Sequence, residues 1–188
     1  MTAAEAILRP AAEHDLDELV RVYIAAYGQP PWNERGDPIQ SRGYVEWVMG
    51  QPNCQCIVAV PPGVPDSGVA PMRGMLLSAP REEAEFHDDW QRLCDPLPQG
   101  WPPLPPALGG IGYVYELAID PPWQGCGLGG RLLDAAIQAF HEAGAAIVAL
   151  RSSEIAPVAV RLYESRGFQR WPLRERGNAG ARWWWRSL

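Results

Sequence analysis

The chain has 188 residues, enough for one domain with a sizeable core, and its hydrophobic share of 47% argues against disorder. A formal net charge of −6 and arginines scattered without a basic stripe set nucleic-acid binding aside. The 20 prolines and 19 glycines cluster, which points to long loops between regular elements rather than a low-complexity chain.

In chain order, Ile7 to Ala11 reads as a short strand. His14 to Asp17 then opens a helix with acidic residues in its first turn, where the macrodipole favours them. Leu16, Leu19, Val20, Tyr23 and Ile24 recur at helical spacing, and Gly28 stops the helix. A second helix is expected over Ser41 to Met49. Cys56 to Val60 and Arg73 to Ala79 form a hairpin across the turn-rich Pro61 to Pro71. An insertion follows at about 80–110. It contains an acidic stretch, Arg81 to Asp95, with room for a short helix, and then Pro96 to Gly110, too rich in Pro and Gly for regular structure. Ile111 to Asp120 is the next strand, ended by Pro121-Pro122, and a glycine-rich turn leads to a helix from Leu128 to Ala143. Leu128, Leu132, Leu133, Ala136, Ile137 and Phe140 give that helix an apolar face. Ala145 to Leu150 reads as a strand covered on both faces, and Pro157 to Gly167 as a helix. Strands near Gln169 to Arg174 and Ala181 to Arg186 close the chain. The strand–helix–strand order from Ile111 to Leu150 implies a parallel pair joined by a right-handed crossover.

Residues 1–9 lack a basic start followed by an apolar core, and no apolar run nears the ~20 residues of a membrane span. A soluble cytoplasmic protein without a membrane partner is expected. Cys54, Cys56, Cys94 and Cys126 read as reduced thiols, and Cys54-Gln55-Cys56 alone is no zinc pattern, so no metal is expected. The small cluster Arg170, Arg174 and Arg176 reads as a solvated surface.

The chemistry concentrates in Gln124-Gly125-Cys126-Gly127-Leu128-Gly129-Gly130. A helix N-terminus offers free N–H groups and about half a positive charge, and glycines let an anion approach the backbone closely. The expected ligand is a phosphate or pyrophosphate. Gly125, Gly127 and Gly130 also satisfy the dinucleotide fingerprint, but in that motif the glycine turn directly follows its strand. Here Asp120 to Gln124 intervene, and no Walker-type lysine is present.

Gln124, Gly127 and Gly129, placed after Leu117-Ala118-Ile119-Asp120-Pro121, together resemble the acetyl-CoA motif of the GNAT superfamily of N-acetyltransferases. Leu162-Tyr163-Glu164 with Gly167-Phe168 resembles that superfamily's last core helix, and Leu8 to Ala11 with Asp15 and Leu16 its opening. The resemblance covers nearly the whole chain in the right order. It implies an α/β (α+β) fold of one domain over 1–188, with a mixed central sheet that splays open between two parallel strands. Acetyl-CoA is the implied cosubstrate, its pantetheine arm along Leu117, Ala118 and Ile119 and its pyrophosphate on Gln124, Gly125, Cys126, Gly127, Leu128, Gly129 and Gly130. The implied reaction passes the acyl group to an amine by direct attack, with Tyr163 facing the cofactor sulfur. Glu116 is placed to accept the amine proton. The superfamily often has Asn where this chain has Ala156, and Ser152 or Ser153 is left to replace its contact. A domain that binds acyl-CoA as a sensor, without transfer, is the alternative.

Each candidate has a plainer reading. Tyr163 also fits a core aromatic, and Glu116 a strand-surface carboxylate. Cys126 lies in the loop, but no His neighbours it in sequence to activate it, so it reads as a passive thiol. His87 beside Asp88 and Asp89 lacks a second ligand cluster. Glu82, Glu83, Glu85, Asp88 and Asp89 suit either an approach path for a cationic amine or a solvated acidic helix. Trp101 to Pro106 reads as a stiff surface loop rather than a polyproline ligand. Trp183 to Trp185 reads as a strand covered on both faces, with a homodimer contact as an open alternative.

Overall fold

Alternating and continuous apolar runs become twelve named helices and strands among the described residues, which are 6–63, 71–98, 100 and 110–188 of a computed structural model. Strands β1 (Ile7–Pro10), β2 (Gln55–Val60), β3 (Gly74–Arg81), β4 (Ile111–Ile119), β5 (Ile147–Ser153), β6 (Gln169–Arg170) and β7 (Ala181–Ser187) take the order β1-β2-β3-β4-β5-β7-β6. The helices are α1 (Leu16–Tyr27), α2 (Pro38–Met49), α3 (Glu83–Leu93), α4 (Leu128–Glu142) and α5 (Pro157–Glu164). This is the mixed α/β architecture expected. Most of Pro61 to Pro71 and of Pro96 to Gly110, including Trp101 to Pro106, lies outside the described residues.

The chain divides into two compact units, Met1–Ala79 with Tyr115–Ala136, and Pro80–Val114 with Ile137–Leu188. In the first, β1 pairs antiparallel with β2, and β2 with β3, which is the expected hairpin. Its core gathers Leu19, Val20 and Val22 of α1, Val45 and Val48 of α2, and Val58, Val60, Met75, Leu77 and Ala118 of the strands. Each such side chain fully withdrawn from water contributes about 1.5–3 kcal/mol before entropy is counted. Asp15 ties β1 to α1: it accepts from the Arg9 guanidinium at 2.6 and 2.9 Å and from the Ala12 N–H at 2.8 Å. Burial alone raises the Asp15 carboxyl, but these donors and the Arg9 charge outweigh it and hold the group below its ordinary value.

α2 starts three residues before the expected Ser41. The reason is an N-cap: the Asp37 carboxylate accepts from the N–H groups of Ile39 and Gln40, both at 2.9 Å, and Pro38 fits the first turn.

In the second unit, β4 and β5 pair in parallel from Ile111↔Ile147 to Val114↔Leu150, and β7 runs antiparallel to β5 and β6. The β4–β5 ladder stops at Val114↔Leu150 although β4 continues to Ile119 and β5 to Ser153. Gly112 is required here, because a Cβ would run into the Phe140 ring. Phe86, Trp90, Tyr113, Trp171 and Trp183 pack with ring centroids 5.0–6.4 Å apart. Trp183 and Trp184 are each 1% exposed, and packing inside the chain accounts for the tryptophan run.

Two expectations change. β5 extends past the apolar run to Ser153, because Arg151, Ser152 and Ser153 pair with Trp183, Arg182 and Ala181. β6 is two residues long instead of six: Pro172 cannot donate to a ladder, and Glu175 bridges to Cys94 and Asn178. Of the arginine cluster, Arg176 donates to the carbonyls of Gln91, Arg92 and Cys94, and so caps the C-terminus of α3.

Candidate functional site

The glycine loop belongs to the first unit. β4 ends at Ile119, and Pro121–Trp123 makes one 3-10 turn before the chain reaches Gln124. A polar net holds this corner. Arg21 donates to Asp120 at 3.0 Å and to the Met72 carbonyl at 2.8 Å, while Glu18 accepts from Arg21 and from the Met72 N–H. Gly125 and Gly127 have φ of 73° and 87°, which a side chain adopts only at a cost. The turn delivers the backbone into α4, 15 residues long, whose first N–H groups lack helical partners. Such an end binds anions. Gln124 donates its amide to the Ile119 carbonyl at 3.1 Å, so its side chain braces the strand end. The Cys126 thiol donates to the Trp123 carbonyl at 2.8 Å, a turn-closing role that fits a bystander better than a nucleophile.

Glu116, on β4, is held by two tyrosines from the helices α1 and α2. Its carboxylate accepts from the Tyr44 hydroxyl at 2.7 Å and from the Tyr27 hydroxyl in a short hydrogen bond. Tyr23 packs on Tyr27 and Tyr44, with centroids 4.8 and 5.6 Å apart. Trp47 stacks on Tyr44 and meets Tyr115 edge-on, and Trp32 packs on Tyr27. Burial, then the charges of Glu116 and Glu34, push the Tyr23 phenol well above the ordinary tyrosine range, so it stays neutral. The result is a carboxylate set among aromatic rings, a combination that attracts a cation by charge and by ring quadrupoles. The sequence signal was the i, i+4 pair Tyr23 and Tyr27, which reads equally well as an apolar helix face.

Tyr163 belongs to the second unit. It lies on α5, is 7% exposed, and packs against Phe168 and Trp184 at 5.9 and 5.8 Å. Ala156 caps α5 without a side-chain hydrogen bond. Ser153 Oγ accepts from the Ile155 N–H at 3.4 Å, whereas Ser152 Oγ is buried and unpartnered.

The acidic stretch forms α3. Glu85 accepts from the Glu82 N–H at 2.7 Å, and Asp89 from Arg81 and Arg92 at 2.8 and 2.6 Å. His87 lies 3.6 Å from Glu83. Glu83, Glu85 and Asp89 thus pair with residues in or beside α3. Among the described residues, no group of three or more His, Cys, Asp or Glu side chains could hold a metal ion. No helix among them is long and apolar enough to cross a membrane.

Residues 97–170 match the family model for the acetyltransferase (GNAT) domain. A mycothiol acetyltransferase of Nocardiopsis dassonvillei is 44% identical over 61 residues, 32% of this chain and 18% of the relative. The chain thus spans about a fifth of that relative's length. An acetyltransferase of the GNAT family from Staphylococcus aureus Mu50 superposes with a TM-score of 0.66 at 14% identity, over 97% of this chain and 99% of that one. The yncA protein of Salmonella typhimurium, solved with its cofactor acetyl-CoA, gives 0.65 at 16% identity over 97% and 94%. Both share the fold.

Proposed function

We propose, for a chain whose residues 97–170 match the acetyltransferase (GNAT) domain and whose fold is shared with a GNAT-family structure, that it transfers the acetyl group of acetyl-CoA to a primary amine by direct attack in a ternary complex. The observation that carries this is the glycine turn opening α4 directly after the 3-10 turn at the end of β4. In this reading residues 1–188 act as one transferase domain. Acetyl-CoA lays its pantetheine arm along the backbone of Leu117 to Ile119 and its pyrophosphate on Gln124 to Gly130.

The acceptor is a cationic amine received at Glu116. An ammonium ion must lose a proton before it can attack, and the Glu116 carboxylate, which accepts from the Tyr27 and Tyr44 phenols, is the group that takes it, directly or through one water. One proton passes from the ammonium to Glu116, the nitrogen forms the new C–N bond as the thioester C–S bond breaks, the nitrogen gives up its second proton to solvent, and the departing sulfur takes up a proton to leave as the CoA thiol. Glu116→Gln should lower kcat/KM for the amine by about 10²–10⁴-fold. Replacing Glu82, Glu83, Glu85 and Asp88 by Gln or Asn should leave the amine KM unchanged. The opposite pattern, with the amine KM raised only by the α3 changes, would move the acceptor site to α3.

Thiol release from acetyl-CoA, followed over a panel of polyamines, aminoglycosides, amino acids, peptide N-termini and mycothiol-type acceptors, tests the activity itself. Direct transfer predicts intersecting double-reciprocal lines and an active Cys126→Ala enzyme. Parallel lines, or a Cys126→Ala protein that folds and binds CoA but is inactive, would contradict it. Tight acyl-CoA binding with no turnover of any amine would favour a sensor.

A further inference from the structure

We propose that Arg73 is a phosphate-binding residue, its guanidinium paired with the diphosphate of the bound CoA. The proposal rests on the reading of the glycine loop as a CoA site, and it adds a residue that the loop motif does not contain. Arg73 immediately precedes β3. Its backbone is fixed on both sides: its N–H donates to the Ala59 carbonyl at 2.8 Å, and its carbonyl accepts from the Asp120 N–H at 3.0 Å. The residue is only 9% exposed, yet its Nε and Nη1 are buried without a hydrogen-bond partner. A guanidinium presents five N–H donors and stays charged, so burying it unpaired is unfavourable.

The nearby carboxylates are already engaged. Asp120 accepts from Arg21, and Glu18 from Arg21 and the Met72 N–H. What Arg73 does have is a shelf: its guanidinium carbon sits 3.8 Å from the centroid of the Trp123 ring. Stacking satisfies the face of the guanidinium and leaves its in-plane donors open. Trp123 directly precedes Gln124 and the glycine turn. A buried cation with unpaired donors thus stacks on the residue that leads into the glycine turn, and bidentate pairing with phosphate oxygens is the chemistry a guanidinium fits best.

The experiment is calorimetric binding of CoA, dephospho-CoA and pantetheine to the wild type, Arg73→Met and Arg73→Lys. Met keeps the stem on Trp123 and removes charge and donors. Arg73→Met should bind CoA and dephospho-CoA about 10- to 100-fold more weakly, with pantetheine binding unchanged. Its CoA affinity should also depend less steeply on salt. Arg73→Lys should fall between the two, and it carries the test where the Met variant does not fold. Unchanged CoA affinity in either variant would overturn the proposal. So would an equal loss for pantetheine, which would mark a packing role, or a loss confined to CoA, which would assign Arg73 to the 3′-phosphate. A wild type that binds no CoA species ends the CoA reading itself, and the proposal with it.

Discussion

Tyr163→Phe is expected to lower kcat about a hundredfold or more while leaving acetyl-CoA affinity unchanged. When the amine attacks the thioester, the departing sulfur gains negative charge. Reference pKa values are about 8.5 for a thiol and about 10 for a phenol, so full proton transfer in water is uphill by ~2 kcal/mol. Desolvation raises the pKa of the leaving thiol and narrows that gap. Short of full transfer, a phenol hydrogen bond aimed at the sulfur strengthens as charge develops, which acts on kcat more than on ground-state binding. Phe keeps the ring that packs on Phe168 and Trp184, so the fold should survive the change. An enzyme with wild-type kcat, measured where chemistry limits turnover, would make Tyr163 a core aromatic and leave solvent to protonate the thiolate.

Gly127→Glu should abolish acetyl-CoA binding, and Gly129→Glu should do the same. Two effects add at Gly127. Its φ of 87° strains any L side chain, at roughly 1–2 kcal/mol. A carboxylate at the mouth of α4 then repels the pyrophosphate and occupies its place. Gly129 lies in the first turn of α4 and carries only the second effect. Gly127→Ala separates the contributions, since it keeps the strain without the charge and should bind measurably more tightly than Gly127→Glu. Equal affinities for acetyl-CoA in wild type and both Glu variants, by calorimetry, would remove the pyrophosphate from this loop.

The loop was legible because its chemistry is local: closely spaced glycines after a strand and before an apolar helix face need no partner from elsewhere in the chain. The same holds for the hairpin of β2 and β3 and for the parallel start of β4 and β5. Long-range pairings were not legible. Nothing in the spacing of Tyr27, Tyr44 and Glu116 announces that the two phenols share one carboxylate, 89 and 72 residues away in the chain. Nor could the position of Arg73 on the Trp123 ring be read from a motif. β6 was overestimated because a β-rich run says nothing of whether a neighbouring strand is there to pair with it, and Pro172 interrupts it. α2 was underestimated because its start depends on a cap at Asp37 rather than on periodicity.

The most direct test of the acetyl-CoA site is a thermal melt of the wild-type protein with saturating acetyl-CoA and, separately, with NAD. A ligand at about a hundred times its dissociation constant stabilises the folded state by ~2.7 kcal/mol, which for a domain of this size raises Tm by roughly 5–10 °C. The expected result is that shift with acetyl-CoA and none with NAD. A melt unmoved by acetyl-CoA and raised by NAD would make Gly125, Gly127 and Gly130 a dinucleotide fingerprint and contradict the acetyltransferase reading.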